Sequence, residues 1–325
     1  MMQAVIGLDT SNYRSSVALV SLEHTILLNQ RELLPVSSGE RGLRQSDALY
    51  AHLKQLRPLL MNLRPFTREW QVVAVCASVS PRSRTDSYMP VFEAGDTVGS
   101  GIAAAMGIPF FRTDHQHGHI RAAQHRTLLE NSNSFLAIHL SGGTTDLLSL
   151  KEGELTELGS SLDLHAGQLI DRVGVALGCS FPAGPEMEKL ALCGKSFGRL
   201  GCAMENGDLS CHLSGAEAQA HRWIAEGRES SADIAREVFD LLARTVARML
   251  RAGKEKTGLK DALICGGIAS SVLFRTMLQD RVNRLHADVH VVCGDPELSG
   301  DNAVGVAMIG VDRFCKEKSA CPTCG

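Results

Sequence analysis

Short apolar runs broken by glycine and hydroxyl turns, alternating with helical spacings, set the rhythm of this chain. Ala4-Val5-Ile6-Gly7-Leu8 is apolar and stops at Asp9-Thr10-Ser11, which predicts a buried strand ending in a polar turn. Ser16-Val17-Ala18-Leu19-Val20-Ser21 returns as a second strand, so the chain opens on a β-hairpin. Leu49, Leu53, Leu56, Leu59 and Leu60 carry helical spacing over residues 46–64, Trp70 to Ser78 is a further strand, and Ala94 to Met106 is a helix of small residues. Pro109 to Arg112 is a short strand, and Thr113-Asp114 looks like a helix N-terminus.

The second half begins the same way. Phe135 to Leu140 is a strand, Ser141 to Asp146 a turn of hydroxyl and glycine residues, and Leu147 to Leu150 a returning strand. Helices follow at 163–178, 186–193 and 232–253, then a strand, Asp261 to Cys265, and a closing helix, Ala303 to Phe314. This repetition predicts an α/β protein of two duplicated lobes that face each other across a cleft. The expected division is 1–133 for the first lobe, 134–300 for the second, and 301–325 for a closing helix and cysteine-containing tail. A chain of 325 residues is long enough for two cores.

Composition narrows the functional classes. Hydrophobic residues make up 44% and charged residues 21%, an ordinary globular balance. Only 5% is aromatic and the net charge is −3, so the whole surface is not built to grip nucleic acid. Contact with RNA would fall to a local patch, for which Arg57, Arg64, Arg68, Arg82 and Arg84 are candidates, although such arginines are more commonly just solvated. No apolar run reaches the length of a membrane span and no leader precedes Met1, so a cytoplasmic protein is expected. Cys76, Cys179, Cys193, Cys265 and Cys293 sit in apolar segments as buried free thiols would. Cys321 and Cys324 form a terminal C-x-x-C, half a metal site at most.

Three turns carry candidate chemistry: Asp9-Thr10-Ser11, Leu140-Ser141-Gly142-Gly143-Thr144, and Cys265-Gly266-Gly267-Ile268-Ala269. Glycines there let backbone N–H groups approach an anion, hydroxyls add donors, and an aspartate after the first strand suits a cation or water near phosphates. Each alone is an ordinary tight turn. In this order they resemble the actin, Hsp70 and sugar-kinase (ASKHA) superfamily, whose first two loops hold phosphates and whose late Gly-Gly loop holds adenosine.

His115 and His119 are four apart, on one face of a helix that begins at Asp114, and His117 points elsewhere. Two imidazoles suit zinc or iron. With 12 histidines this spacing arises by chance about 0.4 times, so it needs a third ligand to count. Asp301, in Glu297-Leu298-Ser299-Gly300-Asp301-Asn302-Ala303, is by itself an ordinary helix cap.

Taken together, the ordered segments resemble the TsaD family, which makes threonylcarbamoyladenosine in tRNA. Ser141-Gly142-Gly143 is similar to its S-G-G-H-T loop, and Leu162 to Arg172 to its D-D-A-x-G-E-A-x-D-K segment. Phe181-Pro182-Ala183-Gly184-Pro185 is similar to Y-P-G-G-P, Leu213-Ser214-Gly215 to F-S-G, and Gly266-Gly267-Ile268-Ala269 to G-G-V-S/A-A-N. The resemblance implies one divalent metal, iron or zinc, held by His115, His119 and Asp301. It implies an ATP- or AMP-type nucleotide, or threonylcarbamoyl-AMP, near Asp9, Ser11, Leu140 to Thr144, Asp171, Gly184, Gly266, Gly267 and Ser271. The reaction so implied moves a threonylcarbamoyl group from its adenylate, made by a separate enzyme, to N6 of adenosine 37 of tRNA. tRNA would be met with partner subunits, and the chain would pair with itself or a paralogue. No Ser-His-Asp set or H-E-x-x-H supports the older glycoprotease label.

The departures are systematic. Arg14 stands where the family has an acid, Thr144 where it has histidine, Gln168 for glutamate, Glu217 for lysine and Ser271 for asparagine; Ser80 to Phe92 replaces a glycine-proline-glycine loop. Two rivals follow: another enzyme of the fold, a carbamoyltransferase, kinase or ATPase on a different substrate, or a non-catalytic nucleotide-binding partner.

Overall fold

Val5, Leu8, Val17, Ala18, Val20, Ala74 and Val75 are fully buried, because the strands that carry them are covered on both faces. The structure is a computed structural model and describes residues 1–11, 14–35, 43–83 and 87–320. Arg84 and the pair Cys321 and Cys324 lie outside the described residues. Strand β1 (Met2–Ser11) pairs antiparallel with β2 (Arg14–Ser21), and β2 with β3 (Ile26–Leu33). Helix α1 (Gln45–Met61) then leads to β4 (Trp70–Ser78), which runs parallel to β1. Helix α2 (Phe92–Met106) returns to β5 (Phe110–Thr113), parallel to β4, and α3 (His115–Gln124) follows at once. The sheet order is β3-β2-β1-β4-β5. Ala4, Ile6 and Leu8 pack with Leu56 and Leu59 of α1 and Ala94 and Ala103 of α2.

The second unit repeats the plan. β6 (Ser134–Leu140), β7 (Thr145–Lys151) and β8 (Glu154–Ser160) form an antiparallel meander. Helices α4 (Ala166–Ala176) and α5 (Gly184–Leu192) follow, then a short ribbon of β9 (Ala203–Glu205) and β10 (Ser210–His212). Next come α6 (Ser214–Glu226) and α7 (Ser231–Thr257), whose Ile234, Val238, Leu241, Leu242, Thr245, Val246, Met249 and Leu250 form one buried face. β11 (Asp261–Cys265) lies parallel to β6, α8 (Val272–Arg284) crosses over, and β12 (His290–Cys293) lies parallel to β11. The order β12-β11-β6-β7-β8 matches the first sheet strand for strand and in every direction. The duplication visible as two hairpins is thus a duplication of two five-stranded sheets.

The last helix, α9 (Val304–Ala320), belongs to the first unit: Gly310 meets Val5 and Cys76 on the sheet face opposite α1 and α2. The two compact units are Met1–Ala122 with the chain from Gly300 onward, and Ala123–Ser299. The first boundary therefore falls ahead of the expected 133, and the closing helix, expected within a separate segment at 301–325, belongs to the first unit. Its apolar residues explain this, since Val304, Val306, Ala307, Met308 and Val311 are at most 1% exposed. The cysteine expectation also needs correction. Cys76 and Cys265 are buried, whereas Cys179 and Cys293 are half-buried and Cys193, at the end of α5, is exposed. Among the described residues no helix is long and apolar enough to cross a membrane.

Candidate functional site

In the first unit the chain after β5 turns directly into α3, and its first N–H groups are all answered. His115 N–H donates to the Ser80 carbonyl (2.9 Å), Gln116 N–H to that of Pro81 (3.1 Å), and His117 N–H to the Asp114 carboxylate (2.8 Å). Asp114 is thus the cap that the sequence predicts, and Ser83 Oγ holds its other oxygen at 2.6 Å. This fixes the rotation of α3. Along α3, His115 and His119 bring their Nε2 atoms to 3.0 Å, with the rings edge to face at 77°. Asp301 Oδ1, just before α9, lies 3.2 Å from His119 Nε2 and 3.7 Å from His115 Nε2. Close helix contact makes this possible: a Cβ on Gly305 of α9 would stand 1.9 Å from the Gly118 carbonyl oxygen of α3, so only glycine fits.

Behind the histidines sits Asp9, fully buried at the end of β1. It accepts from Ser11 Oγ (2.8 Å), from Ser78 Oγ, and from His115 Nδ1 at 3.1 Å. Asp9 and Ser11 were expected near the nucleotide, with the aspartate serving a cation or water; in the structure the carboxylate is buried and accepts from three donors. Its task is to hold the proton on His115 Nδ1 and turn Nε2, with its lone pair, toward His119 and Asp301. A carboxylate behind a ligating imidazole is the usual support of a metal-binding histidine.

The charges agree. Burial works against a charged His115, but Asp9, then Asp301 and Asp114, outweigh it and push the imidazole up to about 9. Burial likewise raises Asp301, yet the hydrogen bond to His119 and the charges of His115, His119 and Arg14 bring it far below the usual carboxylate range. Asp9 is lowered too, against burial, chiefly by His115. The cluster therefore favours positive charge among its donor atoms, which a proton or a cation can supply. Atoms bound to one ion at ~2.0–2.2 Å lie ~3–3.7 Å apart, and the observed 3.0, 3.2 and 3.7 Å fall in that interval. Two imidazoles and one carboxylate suit zinc or ferrous iron. Among the described residues this is the one group of three such ligands.

A separate constellation lies within the second unit. A cavity of about 380 Å³ is lined by Ser141, Gly142, Asp171, Gly184, Gly267 and Ser271, six of the expected nucleotide residues. Three helices begin at its wall: α4, whose second residue Gly167 lines it, α5 at Gly184, and α8, whose cap Ser271 Oγ accepts from Phe274 N–H at 3.0 Å. The positive ends of these helices face the cavity, while the first N–H groups of α4 and α8 are answered within the protein, and the carboxylates of Asp171 and Glu188 share the wall. The loop after β6 rests on α4, with Gly167 N–H donating to the Ser141 carbonyl at 3.1 Å. A Cβ on Gly167 would come within 2.7 Å of the Gly142 nitrogen, which is why that contact requires glycine. Asp171 accepts from Ala183 N–H (2.8 Å), tying α4 to the turn that starts α5.

Leu140, Gly143, Thr144 and Gly266 do not line this cavity. Leu140 is buried and Gly266 packs on its carbonyl behind the wall, while the Thr144 carbonyl accepts from Ser141 N–H at 2.9 Å and closes the loop. The lining also includes Ile170, Glu188, Phe239, Ile268 and Ser270, which sequence reasoning missed. Ile170 and Ile268 lay inside segments already quoted and were recoverable by neighbourhood. Phe239 was not, because it shares the apolar spacing of α7 with residues that are purely core.

A sequence model of the family described as TsaD: tRNA N6-adenosine threonylcarbamoyltransferase matches residues 92–308, about two thirds of the chain. The chain belongs to the TsaD family. Its fold is shared more widely. A full-length HypF in its phosphate- and nucleotide-bound form superposes with a TM-score of 0.63 at 11% identity, over 98% of this chain and 47% of that one. HypF of T. kodakarensis gives 0.64 at 15% identity, over 98% and 48%. A ROK family glucokinase from Streptomyces griseus, in complex with glucose and AMPPNP, gives 0.55 at 12% identity, over 95% and 99%. The chain spans about half the length of the HypF chains it matches. These likenesses show the fold alone: two RNase-H-like units of the ASKHA fold.

Within the TsaD family this member is diverged, and the structure shows what its departing residues do. Gln168 Oε1 accepts from His165 N–H (3.2 Å) and secures the start of α4. Glu217 is engaged by Arg172 at 3.2 Å. Arg14 acts on Asp301 beside the histidine pair, with its guanidinium close to Gly300.

Proposed function

We propose that this protein is a metal-dependent acyltransferase that moves a threonylcarbamoyl group from threonylcarbamoyl-AMP to N6 of adenosine 37 in tRNA. The observation that carries the reading is the hydrogen-bonded chain from buried Asp9 through His115 to His119 and half-buried Asp301, since a scaffold has no need of an oriented ligand set. In the reaction, N6 attacks the carbamoyl carbon, the carbon–oxygen bond to the AMP phosphate breaks, and the amine proton leaves to solvent. A divalent cation, iron or zinc, held by His115, His119 and Asp301 would supply Lewis-acid polarisation of the transferred carbonyl. Asp9 keeps His115 in the tautomer that ligation needs. The cavity at Ser141, Gly142, Asp171, Gly184, Gly267 and Ser271 is read as the seat of the nucleotide: the α4, α5 and α8 N-termini favour its phosphate, and Asp171 offers an acceptor for ribose hydroxyls. The donor would come from a separate adenylate-forming enzyme in the cytoplasm. tRNA would be bound with partner subunits, including a second copy or a paralogue, because the net charge of −3 gives the chain no general hold on RNA.

Two observations favour a second reading. Arg14 adds a cation beside Asp301, and Glu217 is tied up by Arg172, which suits a carbamoyl-type transferase whose acceptor or donor is a different anion. Incubating the metal-loaded protein with tRNA, threonine, bicarbonate, ATP, the adenylate-forming enzyme and the family's partner proteins separates the two. Threonylcarbamoyladenosine should form and should fail to form with His119→Ala. Its absence with intact protein, together with bound zinc or iron by elemental analysis, would sink the tRNA reading and leave the second.

A further inference from the structure

A second cavity of the second unit, about 200 Å³, shares no lining residue with the first. Two helical stripes build it. Arg244, Thr245 and Arg248 lie on one face of α7, and Arg281 and Arg284 on one face of the last turn of α8, with Cys202 at the edge ahead of β9. The lining thus carries four guanidiniums and no carboxylate.

The arginines are held in place from behind. Asp240, with its side chain 3% exposed, accepts from Arg244 Nε at 2.9 Å and from Arg281 Nε at 3.1 Å. Asp208 accepts from Arg248 at 2.8 and 3.1 Å and from Arg251 at 3.3 Å. Arg284 makes no ion pair among the described residues. Counting Arg251 and its further partner Glu255, five guanidiniums meet three carboxylates, so two positive charges are unbalanced. Cations are favourable at a helix C-terminus, which accounts for Arg281 and Arg284 alone. Arg244 and Arg248 reach the same space from the middle of α7, held there by Asp240 and the Leu200 carbonyl (2.9 Å) and by Asp208.

We propose that this cavity is a binding site for a small phosphate-class oxyanion, free or as the terminal phosphoryl group of a metabolite. Planar guanidinium forks match phosphate oxygens two by two, and forks already fixed by Asp240 and Asp208 lose little freedom on binding. A nucleic-acid strand is gripped along an open basic groove with aromatic platforms, whereas this lining is a pocket without an aromatic ring.

Cys202 supplies the readout. Its hydrogen bond with Cys211, acting against burial and helped by Thr245 and the charge of Arg248, holds the thiol below its ordinary range. In the full-length protein, carbamidomethylation of Cys202 by iodoacetamide is followed by peptide mass spectrometry at constant ionic strength. Inorganic pyrophosphate or phosphate at millimolar concentration should slow labelling of Cys202 at least fivefold, and chloride should not. Protection by free phosphate identifies a free ion as sufficient; protection by pyrophosphate alone points to the terminal group of a larger metabolite. Arg248→Gln with Arg284→Gln should abolish the protection, because both changes leave Asp208 and Asp240 partnered. If the double variant melts early, Arg284→Gln alone, at an exposed position, should weaken protection at least threefold. Labelling unaffected by either anion, protection that persists in the variants, or protection only by an RNA oligonucleotide would overturn the proposal.

Discussion

Replacing Asp9 by asparagine keeps its volume and removes its charge, so it isolates the task of orienting His115. The change leaves an amide that can still meet Ser11 and Ser78 but no longer fixes the imidazole tautomer or offsets its positive charge. Metal affinity should fall about 10–100-fold, the usual cost of losing such a support, and competition with a chromogenic chelator measures it. The same histidine gives a pH dependence with a definite sign. His115 is raised from 6.5 to about 9, so in the metal-free protein its contribution is fully present below 6.5 and lost as pH rises through about 9. Asp9 and Asp301 are lowered, so theirs is present above the ordinary carboxylate value and lost as pH falls toward their folded values. An ion replaces the His115 proton, so its binding strengthens by up to ~1.4 kcal/mol per pH unit over that interval. The melting increment produced by zinc should therefore grow between pH 6.5 and pH 9, and a constant increment would refute the competition. The histidine pair was legible from spacing. Asp9 was not legible as its support, since the two residues are 106 positions apart and only folding brings them together.

At the scale of elements, what sequence patterns revealed was what the core buries. β4 and β11 were read with their observed limits because each is built on an unbroken apolar run, Val72–Ala77 and Ala262–Cys265. The edge strands β3 (ILLNQREL) and β8 (ELTELGS) escaped, since each exposes one side to solvent and carries charge there. α6 and α8 escaped for a related reason: SGAEAQAHRWIAE and VLFRTMLQDRVNR scatter charges through their apolar spacing. The close crossing of α3 and α9 was equally invisible, because it depends on a glycine chosen for what it lacks. Gly305→Ala forces a methyl group into the Gly118 carbonyl and must push the two helices apart. Overpacking of this kind costs about 1–3 kcal/mol, and it also separates Asp301 from His119. Thermal melts should show the loss, with metal affinity falling in parallel. On the other unit, Gly167→Ala should displace the Ser141 loop, so AMP affinity by calorimetry drops while metal affinity stays unchanged.

For the whole molecule, the repeated strand order explains both what a linear reading finds and what it misses. Two hairpins announce two units, but a chain can leave a unit and return to it, and nothing in the local pattern of α9 says which sheet it covers. The structure assigns it to the first sheet, where Val5 and Cys76 meet Gly310. Val304, Val306, Met308, Ile309, Val311 and Phe314 are each at most 8% exposed, and a buried side chain of this size contributes about 1.5–3 kcal/mol. Their sum is comparable to the ~5–15 kcal/mol that holds a typical domain. The first unit should therefore not fold without its last helix, although more than 170 residues separate that helix from α3. A chain ending at residue 299 lacks Asp301 and α9 together. Hydrogen exchange should then find β1 and β4 unprotected and metal binding abolished. Every residue of the second unit remains in that chain, so β6, β7 and β11 should stay protected and AMP should still bind. Loss of protection in both sheets would mean that the units fold as one; protection kept in both would mean that α9 is dispensable to the sheet it covers.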